Sequence, residues 1–338
     1  MRFTFDEDQR EYQRVLRDYL AQHCPTTELR ALWDDERGRS PQRWAQLAEL
    51  GAIGLAAPTA LGGMGLDDVA LLLPLEEAGR AALPEPLGAV AAVAVPLLSE
   101  LAVGDEWVER AAAGTAMPIV GFGAGPRVAD AHVADVLLLG AGSELYAVDP
   151  TDVVLTRRLS LDPTRRLFDV AWQPGAGGEL LAAGNGVVDA LKRAQDRSAV
   201  ALAAELLGVT AQLLDMAEAY ARERQQFGKP IGAFQAIKHL LADALVGLAF
   251  ARPVVYRAAA SLADGAATAS RDASMAKAFA SDAATAAGKA ALQIHGATGY
   301  TWEHDLSIWL KRAQALSLAS GDARFHRERV ARAVLTAA

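Results

Sequence analysis

The chain has 338 residues, and its 33 Lys and Arg against 41 Asp and Glu leave a formal charge of −8. That acidic balance excludes the basic footprint of a nucleic-acid binder. A single cysteine, Cys24, excludes an internal disulfide and a cysteine zinc site, and it predicts a reducing, cytoplasmic setting. Apolar residues make up 52% of the chain but aromatics only 6%, because the surplus is mostly Ala. Ala-rich helices pack closely while each buries little area, so part of the core is expected from partner subunits.

The N-terminus, Met-Arg-Phe-Thr-Phe-Asp-Glu-Asp, has no apolar signal core. Asp6 is placed to cap a first helix whose Gln9, Tyr12, Val15, Leu16 and Tyr19 follow one helical face. A second helix holds Trp44, Leu47, Ala48 and Leu50, and Gly51 is placed to stop it. The glycines of Leu55-Ala-Ala-Pro-Thr-Ala-Leu-Gly-Gly-Met-Gly65 predict a loop. Helices are expected to resume near Asp67 and near Leu87. The stretch 87–98 is the most apolar and is interrupted by Pro96. It falls short of the roughly 20 residues a membrane helix needs, so it reads as a core helix and no membrane span is expected.

From about 117 to 182 the pattern changes. Short apolar runs at 117–120, 136–139, 145–148, 153–155 and 168–172 are separated by Gly, Pro and Asp, which reads as strands. Long helical stretches follow at 202–224, 234–262, 273–292, 305–318 and 322–336. Pro253 predicts a kink or break in the second of these. The expected organisation is an N-terminal helical domain (1–116), a small middle β domain (117–184) and a C-terminal helical bundle (185–338). The fold class is mainly α with a small β domain.

Common catalytic motifs are mostly absent. The six His residues include no His-Glu-x-x-His and no metal-ligand spacing, so no metal is expected. Gly121-Phe-Gly123-Ala-Gly125 follows a strand-like run, but Pro126 comes next and no βαβ unit follows, so a turn is expected there. Two motifs in the helical zone carry more. In Arg222-Glu-Arg224-Gln-Gln-Phe227-Gly228-Lys229-Pro230, helix-stop chemistry accounts for Arg, Gly and Pro. It does not account for Phe227 so close to Arg224, a pair suited to an aromatic ring bearing a diphosphate. In Gln293-Ile-His295-Gly296-Ala-Thr-Gly299-Tyr-Thr-Trp-Glu303, a helix ends in a glycine turn. That is either a plain stop or a set of backbone N–H groups and a Gln amide meeting a polar ligand.

Together with Trp44-x-x-Leu-Ala-Glu-Leu-Gly51, Gly62-Gly63-Met64-Gly65 and Glu76-Glu77-x-Gly-Arg80, these motifs make the chain resemble the acyl-CoA dehydrogenases. The resemblance covers nearly the whole length, and the order of helices, β domain and bundle is that family's. It implies a β-barrel-like middle domain, a four-helix C-terminal bundle that pairs subunits, and FAD at the dimer interface. It implies that Arg224, Phe227, Gln293, Gly296 and Gly299, with Gln235 as a further candidate, hold the adenosine and pyrophosphate part of a neighbour's flavin. Ala297 stands where the family has a second glycine.

The departures from the family bear on chemistry. Its reaction removes an α proton from an acyl thioester, and the usual base is a Glu followed by Gly-Thr after the second motif. Here Ser320 stands at that Glu, Gly321 at the Gly and Asp322 at the Thr. Other members carry the base on the first long helix of the bundle, which falls here near Arg197 and Ser198, with Asp196 close by. Asp322 and Asp196 are the substitute candidates. The family's Thr-Glu-Pro…Gly-Ser-Asp loop and Trp-Ile-Thr segment, which hold the flavin ring, have no counterpart. The resemblance therefore implies a catalytic set of none and the flavin-sharing subunit of an α2β2 acyl-CoA dehydrogenase of the steroid side-chain type. Its partner would be a second dehydrogenase subunit and its substrate an acyl-CoA. Two alternatives stay open: a self-sufficient dehydrogenase with an Asp base, and a flavin-free acyl-CoA-binding or structural pseudoenzyme.

Overall fold

The computed structural model describes residues 4–122 and 127–335. Gly123, Gly125 and Pro126 of the expected turn lie outside the described residues. Helix α1 (Glu7–His23) opens on a capping box: Gln9 N–H donates to the Asp6 carboxylate, and Asp6 N–H donates to the Gln9 side chain. Helix α2 (Thr26–Asp34) was not expected. Its start lacks a side-chain cap, and only Leu29 on it is fully buried. Helix α3 (Pro41–Glu49) is capped by Ser40 and carries Trp44 and Leu47 into the core. Gly51 follows it with φ +77°, as a helix stop requires.

The helix expected near Asp67 starts later, as α4 (Leu72–Arg80). The Asp67 carboxylate instead accepts from Val69 N–H at 3.0 Å and Ala70 N–H at 3.3 Å, which makes a turn. The apolar stretch from Leu87 is a buried core helix, as expected. It comprises α5 (Leu87–Ala89) and α6 (Val95–Leu101), joined by a π turn at Val90–Ala94. In that turn Val95 N–H reaches Val90 O, five residues back, and Pro96, which has no N–H, follows at the start of α6. Helix α7 (Asp105–Ala112) closes the N-terminal layer.

The middle zone forms two sheets. Strands β1 (Pro118–Gly121), β3 (Val136–Ala141), β4 (Glu144–Val148) and β7 (Glu179–Ala183) pair in the order β1-β3-β4-β7. The β1–β3 pair is parallel and the others are antiparallel. Strands β2 (Val128–Ala129), β6 (Leu167–Ala171) and β5 (Val154–Arg158) make the second sheet, all antiparallel. Strands β2 and β7 were missed: one is two residues long, and the other is largely exposed and has no apolar alternation to reveal it.

The bundle is built on α8 (Asn185–Glu223), α9 (Gln235–Ala263) and α10 (Ala269–His295), followed by α11 (Leu306–Leu318) and α12 (Ala323–Leu335). A short hairpin of β8 (Gln225–Gln226) and β9 (Lys229–Pro230) links α8 to α9. Pro253 does not break α9, which runs through it. Ala251 and Val255 on either side are buried, so packing within the bundle offsets the lost backbone bond. Helices α4 and α8 cross with backbones almost touching. A Cβ on Gly79 would lie 1.9 Å from Glu205 O, and one on Gly208 would lie 1.8 Å from Glu76 O. The Glu-Glu-x-Gly-Arg motif is thus a helix-crossing motif, with Glu76 bonded by Tyr256 and Glu77 by Arg17.

Two helices, α8 and α9, are long and apolar enough to cross a membrane by length and composition, which corrects the expectation that no stretch is. In α8 the apolar stretch is 78% buried within the chain and is core; in α9 it is only 22% buried. Leu245, Val246 and Phe250 of α9 face outward.

Candidate functional site

Helices α8 and α10 run side by side in the same direction. Ser270 at the start of α10 donates to Asp196 near the start of α8, and Tyr220 near the end of α8 stacks on His295, the last residue of α10, at 4.4 Å. The sequence motifs therefore sort to two ends of one bundle. At about 1.5 Å rise per residue, Ser198 and Tyr220 are about 33 Å apart along α8.

The far end carries Arg224, Phe227, Gln235, Gln293, Gly296 and Gly299. The Tyr220–His295 stack brings the two motifs to the same end. Arg222 is occupied by Glu218 at 2.6 Å, whereas the Arg224 guanidinium has no hydrogen bond or ion pair among the described residues. Phe227 and Gly228 form the two-residue hairpin loop, with φ +55° and +78°. A phenylalanine in the left-handed region is strained, and this one is 91% exposed with only an edge contact to Phe234 at 6.0 Å. Gln235 and Gln293 are exposed. Gly296 has φ +59° and open space where a side chain would be. Gly299 is different: a Cβ there would meet the His295 Cβ at 2.9 Å and Leu292 at 3.2 Å, so internal packing demands this glycine.

The near end carries the base positions. Ser198 Oγ and Ser320 Oγ lie 3.0 Å apart, so the usual base position meets the alternative one expected near Arg197 and Ser198, while Arg197 itself pairs with Asp68 at 2.9 Å and Glu100 at 3.0 Å. Asp196 is buried and committed, ion-paired with Arg329 at 2.8 Å and accepting from Ser270. Asp322 is exposed and accepts from Phe325 N–H at 2.8 Å, capping α12.

The segment carrying Ser320 is held from beneath by a residue the sequence reading missed. Lys277 on α10 is fully buried. Its Nζ donates to Ser317 O at 3.0 Å, Gly321 O at 3.1 Å and Ser281 Oγ at 3.3 Å. Nε2–H of buried His326 donates to Ser320 O at 3.0 Å. These bonds fix a turn in which Ser320 has φ +52° and Gly321 +100°. Burial, with Arg165 adding repulsion, pushes the Lys277 amine down to about 7. Burial and then the neighbouring Lys277 push His326 down to about 4. Nothing in the spacing of an Ala-rich helix marks Lys277 as special.

The fold joins N-terminal helices, two small sheets and a helical bundle with a hairpin and a glycine turn at one end. Residues 6–114 match the family model "Acyl-CoA dehydrogenase, N-terminal domain", and residues 184–335 match "Acyl-CoA dehydrogenase, C-terminal domain". The acyl-CoA dehydrogenase IpdE2 of Mycolicibacterium smegmatis is 35% identical over 321 residues, covering 93% of this chain and 96% of that protein. IpdE2 of Mycobacterium tuberculosis is 30% identical over 316 residues, covering 92% of each. Among solved structures, the Tcur3481-Tcur3483 steroid ACAD superposes with a TM-score of 0.87 at 25% identity, covering 98% of each chain. The ChsE4-ChsE5 complex of Mycobacterium tuberculosis shares the fold, with a TM-score of 0.87 at 22% identity over 99% of each chain. The chain belongs to the acyl-CoA dehydrogenase family and is an oxidoreductase of that family.

Proposed function

We propose that this chain is the non-catalytic, flavin-gripping subunit of a heteromeric acyl-CoA dehydrogenase acting on steroid-derived CoA thioesters. The single observation that carries the reading is the contrast between the two ends of α8. At the far end, Arg224 has no ion-pair partner among the described residues, and Phe227 is held exposed in a strained hairpin. A guanidinium and an exposed ring at a glycine turn fit a diphosphate and an adenine. At the near end, Ser320 at the usual base position is bonded to Ser198, whose neighbour Arg197 pairs with Asp68 and Glu100, and the candidate carboxylates Asp196 and Asp322 are engaged elsewhere. A serine hydroxyl without an adjacent base is a poor acceptor for an α proton.

FAD is the group these residues would hold, and when bound it supplies the hydride acceptor of the family's chemistry. Arg224 would neutralise the pyrophosphate, Gln293 and the Gly296 turn would offer N–H donors, and Phe227 would cover the adenine. The outward apolar face of α9 supports association with a second chain. The steroid class and the partner chain are supported by the similarity to a steroid ACAD named for two components. The domain boundaries that go with this reading are 1–116, 117–184 and 185–338, in a cytoplasmic protein.

The test is to purify the chain alone and again after co-expression with the dehydrogenase encoded beside it. The expected result is a colourless, inactive chain alone and a yellow, active complex. A chain that is yellow and active by itself would overturn the proposal in favour of a self-sufficient enzyme. A complex without flavin would favour a pseudoenzyme.

A further inference from the structure

Building on the flavin reading above, we propose that the ring stack of Tyr220, His295 and His304 positions the two halves of the flavin-tail grip, and does so only while both imidazoles are neutral, so that flavin affinity falls in acid. None of the three is assigned to touch the flavin; they are positioning residues.

The grip is split between two chain segments. Arg224 directly follows α8, and its N–H donates to the Tyr220 carbonyl at 2.9 Å. The Arg224 carbonyl accepts from Ile231 N–H at 2.8 Å, which ties the hairpin carrying Phe227 to the same point. The other half, the Gly296 turn, begins directly after His295. The Tyr220 and His295 rings stack at 4.4 Å and 25°, and so join the two halves. His304 then meets His295 in a T-shaped contact at 4.9 Å, which closes the turn between the two histidines. Just beyond, Arg30 of α2 donates to Trp302 O at 3.0 Å and Glu303 O at 3.2 Å and pairs with Asp305 at 3.1 Å. The turn is therefore moored on both sides.

Hydrogen-bond partners define the tautomers. His295 Nδ1–H donates to Ala291 O at 2.8 Å, whereas His304 Nδ1 accepts from Leu306 N–H at 3.1 Å at the start of α11. A second proton on His304 would take the lone pair that Leu306 uses and would set a cation at the positive end of α11. A second proton on buried His295 would place a charge against the His304 ring. Burial, with a smaller push from His304, holds His295 below the ordinary imidazole value of 6.5. The ionisable groups around the stack are Arg224 and Tyr220 at the end of α8, Glu303 and Asp305 beside His304, Arg30, and Lys311 of α11, which lies over the Trp302 ring at 3.4 Å. Above pH 6.5 the closed turn loses nothing to protonation. As pH falls below it, an opened turn takes up protons more readily than the closed one, and each proton costs the closed form up to about tenfold per pH unit.

The experiment is titration of the flavin-free co-expressed complex with FAD, read by flavin fluorescence at pH 7.5 and 5.5. Affinity is expected to fall at least about tenfold between them. His304→Asn offers a side-chain oxygen to Leu306 N–H and carries no titrating ring, so it should keep the affinity at pH 7.5 and flatten the profile. His304→Leu offers no acceptor and should bind about tenfold more weakly at both pH values. Circular dichroism checks folding, and the Asn variant carries the test should the Leu variant not fold. Hydrogen exchange on the chain alone, corrected for intrinsic rates, should show residues 296–306 losing protection at pH 5.5 and keeping it in His304→Asn. An affinity independent of pH, or a slope that survives in His304→Asn, overturns the proposal. If Arg224→Ala still releases FAD in that case, the flavin grip stands without it. No FAD binding at either pH overturns both.

Discussion

Ser198 and Ser320, 122 residues apart in the chain, meet hydroxyl to hydroxyl at 3.0 Å. One comes from the first long helix of the bundle and the other from the turn between α11 and α12. Ser320 is the residue expected at the usual base position, and Ser198 is one of the two expected near the alternative one; here they join the two elements. Ser198→Ala should cost on the order of 1 kcal/mol of stability, the worth of one partly exposed hydrogen bond. It should leave the dehydrogenase turnover of the co-expressed complex unchanged. Thermal melting and a steady-state assay check both halves, and a turnover loss of a hundredfold or more would assign these serines to the chemistry.

Arg224 is expected to be the anchor of the flavin diphosphate. Arg224→Ala should leave the chain folded, because its guanidinium has no partner among the described residues, and should strip FAD from the complex. A charge-assisted bidentate contact of this kind is worth about 2–3 kcal/mol, or roughly a 30- to 160-fold loss of affinity. Phe227→Gly should have two effects of opposite sign. It relieves a left-handed phenylalanine at φ +55°, so melting should not fall, yet flavin affinity should drop. Flavin absorbance of the gel-filtered complex reads both variants. Undiminished FAD in Arg224→Ala would show that the grip lies elsewhere.

Much of this was legible in the sequence, for physical reasons that also explain what was not. Capping by Asp6, the stop at Gly51 and the strand-like runs from Val136 to Val148 are local signals, and they produced the expected elements. The π turn that precedes Pro96, and the unbroken course of α9 through Pro253, depend on packing from neighbouring helices, which no local pattern encodes. The convergence of Ser198 on Ser320 was implied only by resemblance. Lys277 was invisible, because a charged residue in an Ala-rich helix reads as solvent-facing until the fold encloses it. Gly299 was read as a ligand-approach glycine, but the clash with His295 gives it a packing role as well.

Lys277 should give the stability of the protein a distinctive pH slope. Its amine titrates near 7 in the fold and near its ordinary 10.5 when unfolded. Between those values the unfolded chain holds a proton that the folded chain does not. Stability should therefore rise with pH across this window, by up to about 1.4 kcal/mol per unit, and this contribution should vanish below pH 7, where both states are protonated. Lys277→Met should flatten that slope relative to the unsubstituted chain, whatever its cost at any one pH. Denaturant titrations at pH 6, 7, 8 and 9 check this. Parallel slopes in the two proteins would mean that the three acceptors around Nζ keep the ammonium charged.

The crossing of α4 and α8 should tolerate no added carbon. Gly208 sits where a methyl would lie 1.8 Å from Glu76 O and 2.7 Å from Arg80 N, both backbone atoms that cannot swing aside. Glu76 is itself fixed by the hydroxyl of Tyr256 at 2.6 Å, so the helices can separate only by disturbing a buried polar contact. Gly208→Ala should therefore destabilise by about 3 kcal/mol or more, the upper range for overpacking, although alanine is the better helix former by about 1 kcal/mol. Gly186, near the start of the same helix with open space around it, is the control. Gly186→Ala should be neutral or stabilising, and a similar loss at both positions in denaturant melts would mean that helix propensity, rather than the α4 contact, governs α8.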